Sequence, residues 1–257
     1  MGLSIAVAGK GGSGKTTFCA LLVRALTEAG VKPVLGVDAD PNSNLAEALG
    51  VETDAVLADI REKGASAEGS PASGVGRVRV VEDDVQRAVI EAEGFDVVTM
   101  GRPEGPRCYC YVNGLLRRSL DGLSRGYAAV VLDNEAGMEH LSRRTTNNID
   151  VLVGVMNPSE PSLRAVKRIV ALSRELPIQI KHRAVLVTRV KEGVFAEAAR
   201  AGLDELTGDG VVRLPDVPQD DAAEMAGAEG KSVFSLPADS AALAAVRGVV
   251  DEMRSMV

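Results

Sequence analysis

The segment Gly9-Lys10-Gly11-Gly12-Ser13-Gly14-Lys15-Thr16-Thr17 has the residue types and spacing needed to hold a polyphosphate. It matches G-x-x-x-x-G-K-[ST], lies directly after an apolar run, and opens a helical pattern. In such a loop the backbone N–H groups and the helix N-terminus cradle the phosphates. Lys15 then reaches the β and γ oxygens, and the Thr16 hydroxyl faces Mg²⁺. A hydrophobic run closing in an acid, Val130-Val131-Leu132-Asp133, supplies a second Mg²⁺ contact. Asn134-Glu135-Ala136-Gly137 continues it as a switch loop in which the Gly137 amide can sense a γ-phosphate. A third acidic segment, Val37-Asp38-Ala39-Asp40-Pro41-Asn42-Ser43-Asn44, follows another strand. Carboxylates there flank the phosphate crevice, where they can hold a hydrated Mg²⁺ or place a water; Asp40 and Asn42 can equally cap a helix.

The second chemical segment is Gly101-Arg-Pro-Glu-Gly-Pro-Arg-Cys108-Tyr-Cys110-Tyr-Val-Asn113. In an extended C-x-C both thiols point the same way. A thiol pair on a polar, Pro/Gly-bounded loop is unlike core cysteine; it suits a soft metal or a regulatory disulfide. Two thiolates are half of a tetrahedral site, and a two-fold dimer would supply the other half. Cys19, inside the helix after the phosphate loop, reads as core.

Elements that position these loops follow from patterning. Apolar strands are expected at Ser4–Val7, Pro33–Val37, Asp96–Met100, Ala128–Leu132, Val151–Val155, Ala184–Thr188 and Val211–Leu214. Helices are expected near Lys15–Ala29, Gly114–Leu123, Ser162–Glu175, Phe195–Leu206 and Ala238–Met256. Strands without period-two alternation are buried on both faces, and alternation with helices implies a doubly wound, mostly parallel α/β sheet. At 257 residues one P-loop domain spanning the whole chain is expected. With 46% hydrophobic but only 3% aromatic residues and no Trp, the core must be aliphatic. Residues 62–75 read as a polar surface loop. A net charge of −7 without a basic block argues against nucleic-acid or anionic-membrane partners. No apolar run approaches the length of a membrane span, no signal peptide is evident, and three cysteines make no disulfide scaffold, so a cytoplasmic location is expected.

Lys10 beside the glycines makes the phosphate loop resemble the deviant form of MinD, ParA and nitrogenase iron-protein ATPases. That resemblance implies that Lys10 reaches a partner's phosphates across a nucleotide-sandwich dimer; a solvated lysine is the alternative. It also implies that Asp40 positions the attacking water and that Asp38 orders the Mg²⁺ shell. The Pro-rich loop Leu214-Pro215-Asp216-Val217-Pro218-Gln219-Asp220 is implied to hold adenine. A late-strand Asn that reads adenine in related ATPases is absent here, where the sequence is Val187-Thr188-Arg189. Asn-Lys-x-Asp, which reads guanine, is absent too, so ATP is favoured.

With the cysteine segment and Asp133-Asn-Glu-Ala-Gly-Met-Glu-His140 included, the chain resembles the carbon monoxide dehydrogenase maturation factors, nickel-insertion ATPases of the MinD class. The likeness runs from Ile5 to about Ser232, with Arg107 standing where Gly is expected. It implies Ni²⁺ or Zn²⁺ on Cys108 and Cys110 at a homodimer interface, dimerisation governed by ATP and metal, and a nickel enzyme as client. Two other classes remain open: a MinD/ParA-type ATP-switched positioning scaffold and an iron–sulfur electron-transfer ATPase. The last helix sets Arg247 and Arg254 against Asp239, Asp251 and Glu252, which does not favour membrane attachment.

Overall fold

The computed structural model describes residues 2–39, 44–52, 83, 85–99, 122–134, 148–175, 177–191 and 197–257. Within them lie eight strands: β1 (Leu3–Gly9), β2 (Val34–Asp38), β3 (Val89–Ala92), β4 (Phe95–Thr99), β5 (Ala129–Asp133), β6 (Asn148–Met156), β7 (Gln179–Val187) and β8 (Val212–Arg213). The described α-helices are α1 (Lys15–Glu28), α2 (Asn44–Leu49), α3 (Glu160–Glu175), α4 (Glu197–Gly208), α5 (Asp221–Ala228) and α6 (Ala241–Met256), with a 3₁₀ turn at Val233–Ser235.

The strands form one sheet in the order β3-β4-β2-β5-β1-β6-β7-β8, parallel except for the β3–β4 pair. The doubly wound α/β expectation is met. From β1 the chain builds outward through β2 and β4 on one side and through β6, β7 and β8 on the other. The winding therefore reverses around β1, and the crevice at its C-terminal end is where such sheets bind ligands.

Each face of the sheet buries a separate aliphatic layer. Ile5, Val7, Val97 and Val131 pack against Leu22 and Leu26 of α1 and Leu243 and Val246 of α6. Their chain neighbours Ala6, Ala8, Val98 and Leu132 point the other way, into a layer with Ile169 of α3. Farther along that face Val185 and Val187 meet Val166 of α3 and Leu203 of α4. Burial on both faces explains why these strands lack alternation. At the start of β7 the pattern turns to alternate exposure, which is why Gln179–Arg183 escaped the expected strand.

Three elements were not anticipated. β3 is an antiparallel edge strand joined to β4 by Glu93-Gly94, with Gly94 at φ +87°. α2 has only six residues, too short for a periodic signal. α5 is built from small residues, and its start is signalled by one side chain, Asp220. Oδ1 of Asp220 accepts from the Ala222 and Ala223 amides at 2.9 and 3.1 Å, capping α5. Oδ2 accepts from the Ser240 hydroxyl at 2.7 Å and the Ala242 amide at 3.0 Å, at the start of α6. Ser240 in turn caps α6 through Leu243, so α6 starts at Ala241 rather than at Ala238. The expected helix at Gly114–Leu123 lies mostly outside the described residues, although 122–124 are helical. The 62–75 loop lies wholly outside them.

One carboxylate thus caps two helices. Burial raises the Asp220 pKa, but the Ser240 hydroxyl and the three amides outweigh that and hold it below the ordinary carboxylate value. A depressed folded-state pKa means stability that is present above the unfolded pKa and lost as pH falls through the folded one. Asp220→Ala should cost about 2 kcal/mol or more, since two caps are removed together. Urea denaturation across pH should also show a weaker acid-limb dependence for the variant than for its parent.

Candidate active site

The crevice at the end of β1 is shaped first by a close approach. A Cβ on Gly9 would lie 2.3 Å from the Val155 carbonyl oxygen of β6, so only glycine lets the chain leave the sheet here. The loop then turns tightly, with the Ser13 amide donating to the Lys10 carbonyl at 3.1 Å. Gly14, at φ +84°, forms the N-cap of α1 in a left-handed conformation that suits glycine. Gly11 and Gly12 have open space where side chains would stand.

Lys15 is 7% exposed, and its Nζ donates to the Lys10 carbonyl at 3.3 Å. Lys10 itself points into solvent. Ser13 is buried, Thr16 half-buried and Thr17 exposed. Ser13 Oγ has no hydrogen-bond partner among the described residues. The first turn of α1 carries no acidic residue to compete for its amides.

Sheet register assembles the acids. Asp38 at the end of β2 is paired with Asp133 at the end of β5, and Asp133 with Val7 of β1. Both carboxylates are buried, at 0% and 1% exposure. Asp38 Oδ2 accepts from the Leu45 amide at 2.8 Å and so holds the start of α2. The Ala39 amide donates to the Asp133 carbonyl at 2.9 Å, which binds the two strand ends together. Asn134 donates through Nδ2 to the Val7 carbonyl at 2.9 Å, while its Oδ1 is buried without a hydrogen-bond partner among the described residues. Two buried carboxylates at neighbouring strand ends are hard oxygen donors of the kind that suit Mg²⁺.

Cys19 is fully buried one helical turn after Lys15, as expected of core. Burial pushes its pKa well above the usual thiol value, and the adjacent Asp133 carboxylate adds to the rise. The thiol is therefore a neutral part of the packing.

Thr188 stands where the sequence resemblance led us to expect Asn, and its role was not legible in the sequence. Its Oγ1 lies 2.6 Å from the Ser13 carbonyl and 3.2 Å from the Met156 carbonyl, tying the phosphate loop to β6 and β7. Arg189, at φ +54°, extends Nη1 to within 3.4 Å of the Gly12 carbonyl. Beyond it, Val190 bridges to Pro218, and the Gln219 amide donates to the Val190 carbonyl at 3.0 Å. Pro218 is thereby pinned next to the α1 N-terminus. A cavity of about 470 Å³ opens between them, floored by Phe18 and Leu21 and walled by Val217, Pro218, Ala223 and Gly227. A nucleoside attached to phosphates at α1 would enter this cavity.

The arrangement is a phosphate cradle, two acids and an adjoining pocket of mixed apolar and polar lining at the winding reversal of the sheet. A family model described as the CobQ/CobB/MinD/ParA nucleotide binding domain matches residues 4–233. The chain belongs to that family. It is an ATPase of the MinD/ParA type. An uncharacterized ATP-binding protein of Methanocaldococcus jannaschii is 44% identical over 190 residues, covering 73% of this chain and 74% of the relative. The carbon monoxide dehydrogenase accessory protein CooC of Rhodospirillum rubrum is 33% identical over 248 residues, covering 91% and 90%. Among solved structures, the cell division ATPase MinD of Pyrococcus furiosus superposes with a TM-score of 0.73 at 22% identity, covering 100% of both chains.

Of the residues singled out in the sequence, Gly9 through Thr17, Asp38, Asp133 and Pro218 surround one crevice. Asp40, Gly137, Cys108 and Cys110 lie outside the described residues. Among the described residues, no three His, Cys, Asp or Glu side chains gather as a metal-binding group, and no helix is long and apolar enough to cross a membrane.

The Gly9 contact makes a direct test of the crevice. Gly9→Ala must push β1 from β6 and should destabilise the protein by about 1–3 kcal/mol. The loss should appear in urea denaturation and be accompanied by weakened nucleotide binding in calorimetry. Gly11→Ala, with open space around it, should leave stability within about 0.5 kcal/mol of the parent.

Proposed function

We propose that the chain is an ATP-driven metallochaperone that carries nickel, or zinc, to a nickel enzyme such as carbon monoxide dehydrogenase. The observation carrying this reading is the relationship to the R. rubrum accessory protein over nine-tenths of both chains. The Cys108-Tyr109-Cys110 pair gives it a chemical basis, since thiolates suit both metals. The metal is cargo; each subunit contributes two thiolates, and a homodimer completes a four-thiolate site.

In the ATPase cycle the loop amides and Lys15 bind the β- and γ-phosphates, and Thr16, Asp38 and Asp133 hold Mg²⁺ and its water shell. That ion, when bound, neutralises charge on the β- and γ-phosphate oxygens. Asp40 positions the attacking water, and the Gly137 amide senses the γ-phosphate. Lys10, exposed and unused within its own loop, reaches the phosphates of the partner subunit. Pro218 packs on the base. ATP-dependent closure of the dimer then brings the two cysteine pairs together.

Two sets of variants test this reading. Lys15→Ala should abolish nucleotide binding, whereas Asp40→Ala should keep ATP bound and slow turnover; near-parental turnover in both would refute the assignment. Metal analysis on size-fractionated protein should find one Ni²⁺ or Zn²⁺ per dimer, weakening as pH falls because the thiols must ionise. Cys108→Ser or Cys110→Ser should abolish it while nucleotide binding survives, and Cys19→Ser should leave the stoichiometry unchanged. One metal per monomer would exclude the shared site.

A further inference from the structure

Thr188 stands immediately after β7, 5% exposed, and its hydroxyl has one proton to donate. Two carbonyl oxygens lie within reach, that of Ser13 at 2.6 Å and that of Met156 at 3.2 Å. The Met156 carbonyl already accepts the Thr188 backbone N–H at 2.8 Å. The hydroxyl proton therefore goes to Ser13.

That bond sets an orientation as well as a position. The Ser13–Gly14 peptide is trans, so its carbonyl and its N–H point in opposite directions. With the carbonyl held toward β7, the Gly14 N–H faces the other way, into the hollow enclosed by residues 9–15. There it joins the free amides of the first turn of α1. Nothing within the loop imposes that orientation. Gly12 and Gly14 stand at φ +77° and +84°, and without a Cβ a glycine lets the adjoining peptide plane turn over. Turned over, the Ser13–Gly14 peptide would present a carbonyl oxygen to the phosphates and repel them. The next residue acts likewise one peptide earlier: Arg189 Nη1 donates to the Gly12 carbonyl at 3.4 Å and holds that oxygen outward too.

We infer that Thr188 is a positioning residue for the phosphate chain: its hydroxyl holds the Ser13 carbonyl out of the crevice and so aims the Gly14 N–H at a phosphate oxygen. The inference rests on the phosphate-binding role of Gly9–Thr17 and goes beyond it by naming the residue outside the loop that keeps it fit for anions. The nucleoside end of the ligand plays no part.

Calorimetric titration of the full chain with Mg-ADP and, separately, with Mg-pyrophosphate, which carries no nucleoside, tests the assignment. Thr188→Val keeps the shape and removes the proton. It should weaken both ligands by the same factor, about tenfold, as expected for one lost hydrogen bond to a charged group. Thr188→Ser restores the hydroxyl and should return both affinities to near-parental values. In the parent, the Gly14 amide resonance should move downfield when Mg-pyrophosphate is added, as the N–H acquires a phosphate acceptor. A merely structural Thr188 would lower the urea midpoint of Thr188→Val and leave both dissociation constants at parental values, which would overturn the inference. Weaker ADP with unchanged pyrophosphate would overturn it too, by moving the role of Thr188 to the nucleoside side. A Gly14 resonance that does not respond would do the same even if Thr188→Val cannot be folded. A parent that shows the full binding pattern but hydrolyses no ATP would count against the ATPase cycle and leave the positioning role supported.

Discussion

The architecture of the site depends on how closely the end of β1 runs against β6. At Gly9 the two backbones approach until no side chain fits between them. That approach carries the chain out of the sheet at its winding reversal and aims the following amides along the axis of α1. Lys15, Thr16 and Ser13 then fall where a phosphate chain would lie. The carbonyl of Ser13 is caught from the far side by Thr188, so the loop is held at both its β1 end and its crest. Neither contact costs a functional group, because glycine has no side chain to lose and the threonine hydroxyl is used up in holding the loop.

The acids are placed by register alone. Asp38 and Asp133 sit at equivalent positions on neighbouring parallel strands, and parallel pairing turns that equivalence into proximity. Burial of both carboxylates beside Cys19 is the electrostatic cost of the site. It is offset in part by the amide of Leu45, which uses Asp38 to start α2. The neutral thiol of Cys19 keeps a further charge out of that layer, consistent with its raised pKa.

The parallel strands and the phosphate loop were legible in the sequence because each rests on local chemistry. An aliphatic run buried on both faces reads the same whatever surrounds it, and G-x-x-x-x-G-K-T carries its own turn. What was not legible depended on partners remote in the chain. Thr188 looks like a missing adenine reader until Ser13 is beside it, and Asp220 looks like loop chemistry until Ala242 and Ser240 arrive. α2 is short, α5 is built from small residues, and β3 is a partly exposed edge strand, so none projects a strong period. A two-residue Glu-Gly connection between Ala92 and Phe95 was the available hint for the β3–β4 hairpin.

Asp220 has a mechanical consequence as well as an energetic one. Because a single carboxylate grips the first turns of α5 and α6, neither helix can tilt without dragging the other. α5 walls the base pocket through Ala223 and Gly227, whereas α6 lies along α1 within the aliphatic layer. An occupant that displaced α5 would therefore strain the bonds by which Asp220 also holds the start of α6.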